Sequence, residues 1–311
     1  MEDTELKNLQ VLVNNIEKVI VGKTDVIRLL ITGILTNGHI LLEDVPGVGK
    51  TMLSLALAKS IGGQFKRIQF TPDLLPSDVT GGMIYNPQKG EFEFRPGPVF
   101  ANILLADEVN RTNPRTQSSL LECMQEFKVT IEGKTYLLKK PFMVIATQNP
   151  IEFQGTYPLP EAQVDRFLMK INVGYLEPEE EVRVIKDQRK AHPIESVKPI
   201  LNLNIVNQLQ DKVKEIEISE KIMEYIVNLV MATRNNENVK LGASPRASIA
   251  LMNSVRAWAL LEGRDYVVPD DVVHLAFWVL RHRIVLQPKA TMSGLSSKDV
   301  IDDILKKTPI S

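Results

Sequence analysis

The sequence has a single cysteine, Cys123, in 311 residues. That excludes an internal disulfide framework and a thiolate-rich metal cluster. It lacks an excess of either charge, with 37 basic residues against 38 acidic ones. The global basic field that drives salt-dependent nucleic-acid binding is therefore missing. It also lacks a long apolar run. The longest, Leu29 to Leu42, is too short to span a bilayer and contains Asn37, Gly38 and His39. The N-terminal MEDTELKN is acidic and polar, unlike the start of a secretory signal. The expectation is a cytoplasmic protein without membrane contact. Internal repeats and low-complexity tracts are absent. The four histidines, His39, His192, His274 and His282, show no zinc-type spacing.

What is present is the composition of an ordinary globular chain, 44% hydrophobic and 24% charged. The length suggests about two domains. Up to about residue 175, helical patterns alternate with short apolar runs at Ile40–Leu42, Ile68–Phe70, Ile103–Ala106, Phe142–Thr147 and Leu168–Val173. Runs that are apolar on both faces belong to parallel sheets covered by helices, so the fold class is α/β with a five-stranded parallel sheet. Glu177-Pro178-Glu179-Glu180-Glu181 then opens an acidic helix start, and His192-Pro193 and Lys198-Pro199 punctuate a linker. Beyond it come helical patterns only. Ile222, Tyr225, Ile226, Leu229 and Val230 form one; Ile249, Met252, Val255 and Leu260 a second; Val272, Val273, Ala276, Phe277 and Leu280 a third. Residues 1–190 read as an α/β core and 191–311 as a small all-helical domain. Cys123 lies on an apolar helix face with Leu120, Leu121 and Met124 and reads as core. Trp258 and Trp278 read as packing, and His39 as a turn residue before the first strand.

Residues 40–53, ILLEDVPGVGKTML, run from an apolar strand through a Gly-rich turn into Lys50-Thr51 and a helix. This is the context of a phosphate-binding P-loop, here Pro46, Gly47, Val48, Gly49, Lys50, Thr51 and Met52. Glycines let the backbone N–H groups approach phosphate oxygens, and the helix start offers unpaired N–H groups and a positive dipole end. Lys50 suits the β/γ-phosphates, and the Thr51 hydroxyl suits Mg²⁺. The general pattern has a glycine where this chain has Asp44. Residues 103–108, ILLADE, form a strand ending in two carboxylates. Asp107 is placed to hold Mg²⁺ and Glu108 to polarise the attacking water. A third apolar strand ends at Asn149, which comes near the γ-phosphate if that strand lies beside ILLADE. No Asn-Lys-x-Asp base-reading motif of a GTPase follows.

With these residues placed, the chain resembles the AAA+ ATPases, and within them the MoxR family. The carrying stretches are LLEDVPGVGKT, FEFRPGPVFANILLADEVNRTNPRTQSSLLECMQE, ATQNPIEFQGTYPLPEAQVDRFLMKI and GASPRA. The MoxR-like loop itself carries Glu-Asp at positions 43–44, which accounts for the missing glycine. The resemblance implies that Asn149 is sensor 1, Arg166 an arginine finger, Arg246 sensor 2, and that Val21 and Gly22 pack on adenine. It implies that Met83–Phe100 and Lys128–Leu138 are hairpin insertions facing a ring pore. It also implies ATP and Mg²⁺ as cofactors, a homo-oligomeric, hexameric ring and a helical lid. Its partner would be a client protein, with von Willebrand factor A domain proteins as a partner class. Two other readings stay open. A nucleic-acid translocase needs several cations on the second hairpin, which offers Lys128 and Lys134 against Glu126 and Glu132, with Lys139 and Lys140 just after. A nucleotide switch with little turnover would lack Glu108 or Arg166, and both are present.

Overall fold

The computed structural model describes residues 3–149, 156–189 and 192–310, with side chains from Asn8 onward. Two helices, α1 (Asp3–Glu17) and α2 (Thr24–Leu35), precede β1 (Ile40–Glu43), α3 (Lys50–Ser60), β2 (Phe65–Gln69) and α4 (Pro76–Thr80). A hairpin of β3 (Gly81–Asn86) and β4 (Glu91–Pro96) leads to β5 (Ile103–Asp107) and α5 (Pro114–Glu126). A second hairpin, β6 (Lys128–Ile131) and β7 (Lys134–Leu137), leads to β8 (Met143–Gln148), α6 (Glu161–Val164), β9 (Met169–Ile171) and α7 (Pro178–Asp187). The remainder comprises α8 (Leu203–Glu215), α9 (Glu220–Asn235), β10 (Val239–Leu241), α10 (Pro245–Leu261), α11 (Pro269–Leu280), β11 (Val285–Leu286), α12 (Pro288–Met292) and α13 (Ser297–Lys307).

The five strands β2-β5-β8-β1-β9 form one parallel sheet. Its three central strands explain the unbroken apolar runs. Ile40, Leu42, Ile103, Leu105, Met143 and Ile145 enter one core, while Leu41, Leu104, Ala106, Val144 and Ala146 enter a second on the opposite face. Both faces are dry, so alternation with polar residues has no place. β2 is an edge strand, and Lys66 and Arg67 are exposed there. Its apolar signal covers only the end of the observed strand.

The acidic helix start becomes α7. Pro178 stands at its first turn, and the Glu180 carboxylate accepts the Glu177 N–H at 3.0 Å. The linker segment lies on the core: Ile200 N–H donates to Ser60 O at 2.8 Å, and Asn15 Nδ2 to Lys198 O at 3.0 Å. The expected division between residues 190 and 191 falls outside the described residues. The C-terminal part is helical, with side-chain N-caps at Asn202, Ser219 and Ser296. Two details correct the helices-only expectation. Val239–Leu241 and Val285–Leu286 pair as a short antiparallel ladder, too brief to leave a periodic signal. Ile249 and Val273, assigned to apolar helix faces, point outward at 58% and 42% exposure, because α10 and α11 bury other faces against each other and the core. Cys123 is buried as expected, and burial pushes its thiol up to about 12.

His39 lies in the connection between α2 and β1, before the first strand as expected. It is buried, its Nδ1 accepts the Val144 N–H at 3.0 Å, and its Nε2 donates to Met124 O at 2.9 Å. The ring lies 5.7 Å from Phe127 and 5.6 Å from Phe142, centroid to centroid. The bond accepted by Nδ1 requires the neutral ring, and burial lowers its pKa to about 4 against the raising effect of the bond to Met124. The unfolded chain takes up this proton near pH 6.5 and the folded chain only near pH 4. His39 therefore leaves stability untouched above pH 6.5 and removes roughly 3 kcal/mol as pH falls through that window. Urea denaturation at several pH values, compared between the wild type and His39→Gln, should show a shallower acid loss in the variant. Parallel curves would exclude His39 as the source.

Candidate nucleotide site

The carboxyl ends of parallel strands all point one way, so the loops after β1, β5 and β8 meet at one edge of the sheet. Gly49, with φ +88°, sits immediately before Lys50 at the first turn of α3. Gly47 also has positive φ, +90°, and a Cβ on either glycine would meet no atom within 4 Å. The loop is thus an open backbone cradle at a helix start, the geometry that receives an anion. Lys50 Nζ spans the loop and donates to Asp44 O at 2.9 Å and Val45 O at 3.2 Å. Burial lowers its pKa, while the carboxylates of Asp44, Asp107 and Glu108 pull it back up.

A cleft of about 360 Å³ brings together Pro46, Gly47, Gly49, Lys50, Thr51, Met52, Asp107, Glu108 and Asn149. Asn149 arrives because β8 pairs with β5 in register from Ile103↔Met143 to Ala106↔Ala146. Thr147 Oγ1 donates to Asp107 Oδ1 at 2.6 Å and accepts the Glu108 N–H at 2.8 Å. One hydroxyl therefore holds both carboxylate-bearing residues in place. Glu108 has φ +57°, a left-handed backbone unusual for a side chain of its size. Among the described residues there is no cluster of three or more His, Cys, Asp or Glu able to hold a metal. One hydroxyl and one carboxylate, Thr51 and Asp107, fit a small hard cation that takes its other ligands from phosphate and water, as Mg²⁺ does.

A second cavity, of about 430 Å³, adjoins the first at Gly47, Gly49 and Met52. Val19, Ile20, Val21, Val48, Tyr175, Leu176, Val184 and Ile185 line it, so it is an apolar slot beside the phosphate cradle. Val21 and Val48 stand on its wall. Gly22 does not. It has φ +70°, and a Cβ there would lie 1.8 Å from the Glu180 carboxylate, so it lets the chain pack against the first turn of α7. Lys23 Nζ donates to Tyr175 O at 2.7 Å and ties the same two segments.

The two arginines singled out in the sequence do not join this cleft. Arg166 is half-buried on another surface and donates to Leu121 O at 3.2 Å. Arg246, 49% exposed at the start of α10, contacts Asp165 Oδ2 at 3.4 Å. Other residues were missed. Arg67 pairs with Asp107 at 2.6 Å. Gln69 Nε2 donates to Glu108 Oε2 at 2.7 Å, and Arg111 reaches the same oxygen at 3.0 Å. Arg67 and Gln69 lie on β2, which pairs with β5 so that Gln69 stands opposite Asp107. Their only sequence signal is polarity at the end of a short run. Asp44, at the position of the missing glycine, accepts N–H bonds from Val173 and, at 3.2 Å, Gly174, and so fastens the start of the P-loop to the end of β9.

The family model of the ATPase family associated with various cellular activities (AAA) matches residues 39–169, and that of the AAA lid domain matches residues 231–304. YeaC of Bacillus subtilis is 53% identical over 300 residues, spanning 96% of this chain and 94% of that protein. Chaperone MoxR1 of Mycobacterium tuberculosis is 44% identical over 97% of this chain and 82% of its own. The crystal structure of a Cytophaga hutchinsonii protein provisionally assigned as an ATPase superposes with a TM-score of 0.93. It is 45% identical and covers 99% of this chain and 96% of that one. With the P-loop, the paired carboxylates and the helical lid at their places in the fold, the chain belongs to the MoxR family of AAA+ ATPases.

Proposed function

We propose that this protein binds ATP with Mg²⁺ and hydrolyses it as a ring, and that the ring remodels or matures a client protein in the cytoplasm. The observation that supports hydrolysis best is the convergence of Lys50, Thr51, Asp107, Glu108 and Asn149 on one cleft beside an apolar slot. In this reading Val21 and Val48 receive adenine, and Gly22 shapes the segment that carries Val21. The P-loop N–H groups and Lys50 bind the phosphates. Bound Mg²⁺, held by Thr51 and Asp107, supplies charge neutralisation at the phosphates. Glu108 takes the proton of the attacking water, and Gln69 and Arg111 aim its carboxylate. Asn149 orients that water. Arg246 acts as sensor 2, and Arg166, placed away from its own cleft, serves a neighbour's site as a finger. Ring formation, by this reading in hexamers, follows from that need.

A protein client fits the hairpins better than nucleic acid does. Phe94 of the first hairpin stacks on Tyr136 of the second at 4.0 Å, so the two form one platform. At the first hairpin's end, Tyr85 and Phe92 meet edge-on at 5.4 Å and stay 51% and 64% exposed. Two of the cations a phosphate backbone would need have contacts of their own: Lys128 pairs with Glu126 at 3.3 Å, and Lys134 lies 5.3 Å from the Tyr136 ring centre, while Lys139 and Lys140 are exposed. A protein with a von Willebrand factor A domain is the partner class in this reading. MoxR1, a relative, is described as a chaperone.

Lys50→Ala should abolish tight ATP binding, and Glu108→Gln should keep binding while losing hydrolysis, because an amide is a very weak base. Equilibrium binding and phosphate release separate the two, and equal binding loss in both variants would remove Glu108 from the role of base. Arg166→Ala should lower kcat by about 10³-fold or more with ATP affinity nearly unchanged. A comparable loss of affinity would argue for a structural arginine. Replacing Ile131 to Thr135 by a Gly-Ser turn should leave basal hydrolysis within about a few-fold and lower its stimulation by a client. The platform stands outside the motif strands, and such exposed contacts are read in binding energy. Collapse of basal hydrolysis would place this hairpin in the catalytic assembly instead.

A further inference from the structure

Three consecutive residues after α11, Arg281, His282 and Arg283, reach across to β9 and its flanks. Arg283 is 2% exposed, and its whole fork is used. Its Nε donates to Asp165 Oδ1 at 2.8 Å. One terminal nitrogen donates to Leu168 O at 3.0 Å and to Val279 O, the other to Asp165 O at 3.2 Å and Phe167 O at 2.5 Å. His282 Nε2 donates to Phe167 O at 3.1 Å. Arg281 lies over the Phe277 ring, at 4.7 Å, and donates to Asn172 Oδ1, whose Nδ2 in turn donates to Glu43 O. The acidic groups facing Arg281 are Glu43 and Asp44.

These bonds bracket one strand. At one end of β9 lie Asp165 and Arg166. At the other lie Asn172 and then Val173 and Gly174, which Asp44 fastens to the P-loop. Among the described residues β9 pairs only with β1, the strand that feeds the P-loop. The Asp165 carboxylate also receives Ser244 Oγ at 3.1 Å and Arg246 at 3.4 Å, both from the start of α10. Buried as it is, the guanidinium must satisfy five N–H donors, and a single carboxylate accepts at most two of them. This one spends four of its five bonds on backbone carbonyls, which fixes where a segment runs and not just that it is buried.

We propose that Arg281, His282 and Arg283 are positioning residues of the ATPase. From one lid segment they hold the P-loop of their own site, through Asn172 and Glu43, and the turn that presents Arg166 to the next subunit, through Asp165, Phe167 and Leu168. The inference rests on the reading of Arg166 as a finger acting in trans. It adds that the two ends of the clasp serve different active sites. Arg281 serves its own, and Arg283 serves the neighbour's.

Subunit mixing separates the ends. The reference pair is Arg166→Ala with Lys50→Ala. The first keeps a working P-loop and offers no finger; the second offers a finger and binds no ATP. Mixed rings should recover hydrolysis that neither has alone. Arg283→Lys keeps the charge and loses the fork, so its kcat should fall by about ten- to a hundred-fold with ATP affinity within about twofold, the scale of a misplaced group. It should recover activity with Lys50→Ala and not with Arg166→Ala. Arg281→Gln should weaken ATP binding by about tenfold, the scale of one lost charge-assisted contact. It should recover with Arg166→Ala and not with Lys50→Ala. Melting curves and sedimentation confirm folded, assembled rings. If Arg283→Lys does not fold, Asp165→Asn keeps the side-chain volume and is scored in its place. A reference pair that recovers while either clasp variant, folded and assembled, recovers with both partners or with neither overturns the proposal. A reference pair that assembles and stays inactive overturns the trans finger itself, and the Arg283 half with it.

Discussion

Burial of both faces of a parallel sheet is the constraint on which the rest of this structure depends. β1, β5 and β8 stand side by side with their buried positions apolar up to Thr147, and helices must cover them above and below. Parallel strands then deliver their following loops to one edge, where polar residues are free of the core. The P-loop, the Asp107-Glu108 pair and Asn149 are the first residues past the dry stretch of three adjacent strands. Their proximity is a by-product of hydrophobic registration, and Thr147 refines it by bonding to both carboxylate residues across the β5–β8 pairing. His39 contributes from the opposite end of β1, tying the last turn of α5 to β8.

The charges in the cleft are arranged to be held until a ligand competes for them. Lys50 bonds to carbonyls of its own loop, Asp107 to Arg67, and Glu108 to Gln69 and Arg111. Each is partly shielded from water, where an unpaired charge is costly. In the proposed reading, a polyphosphate with a dication gives Lys50 and Asp107 stronger partners, while Gln69 and Arg111 keep Glu108 aimed. Asp44 belongs to the same economy: where other P-loops have a small flexible residue, its carboxylate pins the loop to the end of β9 and thereby to the wall of the apolar slot. The lid joins the core through polar bonds that include the buried ones of Arg283 to Asp165, Phe167 and Leu168.

The residues proposed for chemical roles were legible in the sequence because their types and spacings are local. A Gly-rich turn before Lys50-Thr51 and a carboxylate pair after an apolar run can be read without knowing what lies beside them. The same holds for the strands of the central sheet, the acidic start of α7 and the tight turn of the second hairpin at Glu132-Gly133. Their signals are periodicity, capping and turn chemistry over a handful of residues. Long-range neighbours decided the rest. Gln69 and Arg67 matter because β2 lies against β5, a strand order no local pattern encodes. His39 stands before the first strand as its position suggests, but it is a core link, because Phe127 and Phe142 close over it from distant segments. Arg166 and Arg246 look equivalent as motif arginines, yet folding sets both outside their own cleft and brings Arg246 to the carboxylate next to Arg166. Arg281-His282-Arg283 carried no signal at all, since what gives these side chains meaning is the edge strand they reach. Sequence alone determined which groups could do chemistry, because that follows from side-chain identity and local backbone geometry. Only the tertiary structure decided which groups meet, because that follows from how two cores pack on one sheet.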